Sequence, residues 1–265
     1  MTIAAKATTA GALAAFVLAG FVAPQAASAS SPSPIGGGTL SAQEVGAAKA
    51  AHDDRNDRSK DGWGGRNATA AELKSKEAYM AAHKPKSMVT ATSKMLANTH
   101  QGQWYNNYCG PATLVMALGM RGIWNYDQGT FASWIGISPN NGGTGVDAMN
   151  KQLNDESGGF PYVRVNLPYT PTSADVAAFK NRLIGDTDAG ASLVGNAMEV
   201  YNGPHLVGHP NSSTTIYHWF PFQGYDGDWA AYLDSATTVW SSVPARSGMP
   251  NSTLVTIMGG RGYNW

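Results

Sequence analysis

The sequence predicts an α+β fold, and three observations carry the prediction: an apolar helix follows Pro111, helical patterns continue to about residue 185, and strand patterns crowd into the rest. From Cys109 the chain runs through Gly110 and Pro111 into Ala112, Thr113, Leu114, Val115, Met116, Ala117 and Leu118, apolar and free of glycine. Proline in a first turn and Leu114/Leu118 at i,i+4 predict a buried helix. A turn-rich stretch over 136–145 leads to a short helix over 146–153, ending before Gly158-Gly159. Residues 162–167 alternate as a strand. Ser173 reads as the N-cap of a helix carrying Ala177, Phe179 and Leu183, with Gly185 as its stop. Strands are expected over 191–198, 214–223, 229–234 and 254–258, with Asp226-Gly227 as a hairpin turn between two of them.

The 265 residues divide into three parts. Residues 1–29 have the pattern of a secretory signal peptide: Lys6, an apolar stretch over 10–22, and small residues ending in Ala27-Ser28-Ala29. That stretch is shorter than the ~20 residues a membrane-spanning helix needs, so cleavage near Ala29 and a secreted, extracellular protein are expected. No later stretch is long and apolar enough to cross a bilayer. Residues 30–98 read as a Ser/Pro/Gly-rich linker followed by a charged pro-segment or spacer, and residues 99–265 as the main domain.

The chain as a whole has zero formal net charge, which gives no electrostatic reason to expect nucleic acid or an anionic membrane as partner. The balance is uneven. Residues 41–98 hold ten basic against seven acidic side chains, while 99–265 hold seven against eleven. The opposite signs predict that 41–98, with helical patterns over 42–51 and 68–83, docks on the domain and covers its cleft; a solvated charged linker is the alternative.

Cys109 is the only cysteine. A thiol at a helix N-terminus sits among unpaired N–H groups and the positive end of the macrodipole, which lowers its pKa from about 8.5 and favours the nucleophilic thiolate. A buried, inert cysteine is the alternative, but exported domains that use cysteine structurally use it in pairs. A nucleophilic thiol needs a base, and six histidines are available. His52, His83 and His100 have no organised sequence context. His205 and His209 form HLVGH, but Pro204, Gly208 and Pro210 forbid a regular helix, so the pair reads as loop and not as a metal site. His218 sits in the middle of an aromatic strand. The next strand ends at Asp234 and returns antiparallel, which can set that carboxylate beside His218 as the third group of a triad. Asp226 and Asp228 are better explained by the turn.

The stretches QWYNNYCGPATLVMAL and YHWFPFQGYDGDWAAYLDSAT together resemble the papain-like cysteine peptidases, specifically the bacterial leader-peptidase-like group. The resemblance implies a papain-like fold with Cys109 as nucleophile, His218 as general base and later acid, Asp234 as orienting residue and Gln103 as oxyanion-hole donor. It also implies hydrolysis of peptide or protein substrates without a metal or organic cofactor. Asp234-Ser235 departs from the group's usual Asp-Pro, and the membrane segments of its transporter-linked members are not found. The expected function is that of a free-standing secreted cysteine peptidase. A peptidoglycan amidase or endopeptidase acting on cell-wall peptides, and a non-catalytic binding module, are the alternatives.

Overall fold

A computed structural model describes residues 40–56, 65–83 and 92–265; the predicted signal peptide and nearly all of the linker behind it lie outside them. In chain order the elements are α1 (Ala42–Asn56), α2 (Ala70–Ala82), β1 (Ser93–Met95), α3 (Cys109–Gly119), α4 (Gln128–Ile135), α5 (Val146–Glu156), β2 (Arg164–Val165) and α6 (Ser173–Asp188). They continue with β3 (Val194–Glu199), β4 (Ile216–Asp226), β5 (Trp229–Leu233), β6 (Arg246–Pro250), α7 (Asn251–Met258) and β7 (Gly262–Asn264). The fold is α+β. Among the described residues seven strands form one sheet in the order β2-β7-β3-β4-β5-β6, with β1 also on β4. Every pairing is antiparallel.

Strand alternation assigns the two faces of the sheet to two helical layers. On one face Val194 and Trp219 pack with Leu114 and Leu118 of α3 and Met149 and Leu153 of α5. On the other, Phe220 and Phe222 pack with Phe179 and Leu183 of α6 and Leu254 and Met258 of α7. Helix α3 is buried from Gly110 through Gly119, as an all-round apolar helix must be. It packs directly on β4, and this contact brings Cys109 to the strand that carries His218.

Four sequence expectations give way. Residues 254–258, predicted as strand, lie in α7. Their β-branched side chains gave the strand signal, but Leu254 and Met258 stand one helical turn apart in the core, and Gly259 follows at the C-cap. The N-cap of α6 is Thr172, not Ser173; its hydroxyl and the Asp175 carboxylate form a reciprocal capping box. Gly185 does not stop α6, which runs a further turn to Asp188 and places Asp186 inside the protein. The strand expected over 162–167 is reduced to Arg164–Val165, paired with β7.

Residues 41–98 are more than a charged surface segment. Strand β1 pairs with β4, so the sheet takes in residues before position 99. In α1, Lys49 Nζ donates to the carbonyls of Thr256, Ile257 and Gly259 at 2.6, 2.8 and 3.1 Å, capping the C-terminal end of α7. One turn on, Asp53 takes a bidentate pair from Arg261, both contacts 2.7 Å. In α2, Lys76 lies 3.1 Å from Asp186 and 3.6 Å over the Phe160 ring, with neither charged side chain exposed.

Candidate active site

Cys109 opens α3, where the first N–H groups of a helix have no intrahelical acceptor. Burial pushes its thiol pKa up, but the hydrogen bond and charge of His218, with the backbone N–H groups of Trp219 and Gly110, outweigh that and leave it below the usual thiol value. Gly110 cannot be larger: a Cβ there would stand 1.9 Å from Thr144 Oγ1. That close approach lets the loop before α5 seat against the start of α3.

His218 and Asp234 meet through an irregularity in the β4–β5 hairpin. From Asp226↔Trp229 to Gly224↔Ala231 the register is regular, but Phe222 pairs with Tyr232, so β4 holds one extra residue at Gln223. Continued without that bulge, the register would set Asp234 opposite Pro221, on the face that His218 does not share. With it, Asp234 falls in line with Phe220 and His218. His218 Nε2 lies 3.0 Å from Asp234 Oδ1, an ion-pair contact more than a straight hydrogen bond. That leaves Nδ1 to face the thiol. Burial pulls the His218 pKa down, yet Asp234 and Cys109 together raise it to about 10. Burial pushes Asp234 up, but His218 and His209 hold it well below the usual carboxylate range.

Gln103 is buried beside the thiol and lines the same cavity. Its Nε2 donates to the carbonyls of Tyr105 and Asn106, both at 2.9 Å, and its Oε1 accepts from Ser235 Oγ at 3.1 Å. Both amide hydrogens are thus engaged, and an oxyanion would have to draw one from a neighbouring carbonyl. Ser235, the departure from the expected Asp-Pro, is the residue that fixes this amide; its carbonyl also accepts the Gln103 N–H at 2.9 Å.

The thiol–imidazole pair lies between two cavities. One, of about 220 Å³, is bounded by Asn107, Gly143, Thr144, Asn196 and Trp219; the other, of about 250 Å³, by Ile216, Ala236, Val239 and Trp240. Cys109, Asn106, Tyr217 and His218 line both. Asn107 Nδ2 donates to the carbonyls of Ser138, Asn141 and Gly142 and so holds one wall in place. No described residue of α1 or α2 lines either cavity, although His52 reaches the Tyr217 hydroxyl at 3.1 Å. A larger cavity, about 330 Å³, lies at Arg66, Glu72, Asp147 and Arg164, with none of these reactive groups on its walls.

Sequence reasoning brought Cys109, Gln103, His218 and Asp234 forward, and they converge here. It missed three groups. His209 is in the loop expected for HLVGH, but buried, with Nε2 3.0 Å from Asp234 Oδ2 and Nδ1 2.9 Å from Glu199 Oε1. Glu199 Oε2 lies 2.8 Å from His205 Nδ1. His100, read as contextless, sets Nε2 2.9 Å from the Asp234 carbonyl. The legible signal was an acid ending the apolar run of β3, on the face set by Ala197↔His218 and Glu199↔Ile216. Donor atoms of His209, His218 and Asp234 lie within 4.8 Å of one another, but they already satisfy each other as ion pairs, and nothing selects the group as a metal centre.

No curated protein matches the chain. Among solved structures it is similar to a protein proposed to be a C39-like peptidase from Bacillus anthracis, at 14% identity and a TM-score of 0.43, over 65% of this chain and 96% of that one. A family model, described as the Peptidase_C39 like family, matches residues 94–250. That span runs from β1 through β6 and takes in the helix of Cys109 and the strands of His218 and Asp234, so the chain belongs to the Peptidase_C39 like family of cysteine peptidases.

Proposed function

We propose that the protein is a secreted cysteine peptidase that hydrolyses peptide bonds through Cys109, His218 and Asp234. The observation that carries the reading is the convergence of a helix-N-terminal thiol, an imidazole and a buried carboxylate from α3, β4 and the end of β5. The Cys109 thiolate attacks the carbonyl carbon, forming an S–C bond, and the charge that develops on oxygen meets the Cys109 backbone N–H and the Gln103 amide. His218 gives its proton to the leaving amine as the C–N bond breaks. A water then loses a proton to His218 and frees the acyl group from sulfur.

The signal-like segment over 1–29 supports export, and no helix among the described residues is long and apolar enough to cross a membrane. Helices α1 and α2 act as a brace and not as a plug, since the cleft walls contain none of their described residues. A wall-directed endopeptidase or amidase is the second reading. Exposed Trp104, Trp124 and Trp134 on the α3–α4 side favour it, because aromatic faces suit sugar-bearing ligands. Release of new amines from purified cell wall, set against cleavage of soluble peptides, decides between the two. The test of the common chemistry is alkylation of Cys109 across pH 4 to 9. Rapid labelling well below about pH 8.5 that is lost in His218→Ala supports it, and the titration of an ordinary thiol overturns it.

A further inference from the structure

We infer that Glu199 and His209 form a charged brace behind Asp234, which turns that carboxylate towards His218 and sets the pH range over which Cys109 is reactive. The inference rests on the peptidase reading of the same site. Its geometry is a chain of alternating charge. Asp234 Oδ1 faces His218 and accepts the Ala236 N–H at 2.8 Å, while Oδ2 faces His209 Nε2 at 3.0 Å. The opposite ring nitrogen, Nδ1, stands 2.9 Å from Glu199 Oε1, an ion-pair contact without the geometry of a hydrogen bond.

Ionised carboxylates cannot donate, and the two that flank His209 favour a ring protonated on both nitrogens, held to Asp234 by a hydrogen bond and to Glu199 by charge. Burial pulls its pKa down, but the two carboxylates outweigh that and raise it above the usual histidine value. Burial pushes Glu199 up, and His205 and His209 bring it below the usual carboxylate value. The groups facing this pair are His205 in the same loop, His218 on β4, Tyr232 and Asp234 on and just after β5, and Lys49 of α1 beside Glu199.

The loop is built to present this ring. Gly208 has φ +83°, and a Cβ there would stand 2.1 Å from Ser242 O. Ser242 Oγ donates to Gly208 O at 2.6 Å, the Val207 N–H donates to Tyr232 Oη at 2.9 Å, and Leu206 is anchored in the core. His209 itself packs on Trp240 at 4.8 Å and edge-on to His218 at 5.1 Å, ring centroid to centroid. A cation so placed takes up half of the Asp234 carboxylate and repels the proton on His218. It thereby restrains a base that Asp234 alone would hold too tightly to release its proton to a leaving amine. Glu199 and His209 are positioning residues, since neither lines the cavities at the thiol.

The test is the pH profile of Cys109 alkylation by iodoacetamide in the full chain and in Glu199→Gln and His209→Gln. Removing the cation moves the acid limb of labelling to higher pH, by about one unit in His209→Gln and less in Glu199→Gln. Ring-nitrogen NMR of histidine-labelled wild type is the second measurement. His209 is expected to hold both ring protons at a pH where an ordinary histidine is neutral. An activated wild-type thiol with unshifted variants overturns the brace and leaves the peptidase reading standing. An ordinary thiol in wild type overturns both. If the variants do not fold, a neutral His209 ring in wild type overturns the brace by itself.

Discussion

Buried charge serves two regions of this molecule in different ways. Where α1 and α2 meet the domain, acids pair with Lys and Arg: Asp53 with Arg261, Asp186 with Lys76. Around Cys109 the acids pair with imidazoles: Asp234 with His218 and His209, Glu199 with His209 and His205. Desolvation opposes charge in both places. Arg261 keeps its proton throughout, and Lys76, pulled down by burial to about 8, still carries its own near neutrality, so both hold a position; an imidazole, whose ordinary pKa lies near neutrality, can hand a proton on. The same burial that makes a clamp in one region makes an acid–base device in the other.

The sharpest way to test that contrast is to remove the thiol. Cys109→Ala is expected to abolish alkylation and turnover while leaving the melting temperature within a degree or so of wild type, since the site adds chemistry and not packing; retained activity would sink the reading. Asp234→Asn follows, with kcat expected to fall by ~10⁴ as His218 loses its orientation and counter-charge. Gln103→Ala is expected to lower kcat by ~10² to 10³, and an unchanged rate would remove this residue from the oxyanion hole.

The clamps should respond in the other coin. Lys76→Met leaves Asp186 buried without its cation and is expected to cost about 3 to 5 kcal/mol by denaturant melts, with Cys109 alkylation in the folded protein unchanged. This loss has a pH signature. Burial already raises Asp186 to about 6 against the pull of Lys76, and without the lysine it rises further. A carboxyl whose folded pKa lies above its unfolded value of about 3.9 stabilises fully in acid and loses that contribution as pH climbs through the folded value. The Lys76→Met defect should therefore be small near pH 4 and grow above pH 6. Lys76→Met with Asp186→Leu is expected to recover most of it, the smallest net effect of the set.

How much of this was legible depended on whether a residue's role is local. The α3 start, the Asp226-Gly227 turn and the strand of His218 announce themselves through short-range patterns, and from these the fold class and the thiol–imidazole pairing could be read. Asp234 was placed beside His218 on the assumption of a simple hairpin, and the alignment holds only because of the Gln223 bulge, which has no sequence mark. For Lys49, Asp53 and Lys76 the sequence offered only a segment-wide charge contrast, from which docking or a solvated linker could be read but no partner, because their partners lie on distant elements. His209 was read as loop, and its neighbours could not be read from HLVGH because Glu199 and Asp234 arrive from two strands. Residues 254–258 misled because β-branched composition spoke louder than the one-turn spacing of Leu254 and Met258.

The cap that Lys49 places on α7 ties the first described helix to the last one, and Asp53 adds a second tie at Arg261, just beyond α7. A ribosome delivers Lys49 and its Thr256 partner 207 residues apart. Helix α1 must therefore wait, Lys49 and Asp53 still solvated, until α7 and Arg261 have emerged. Contacts of so long a sequence separation are slow to close, so the clamps of α1 are expected among the last contacts made in folding.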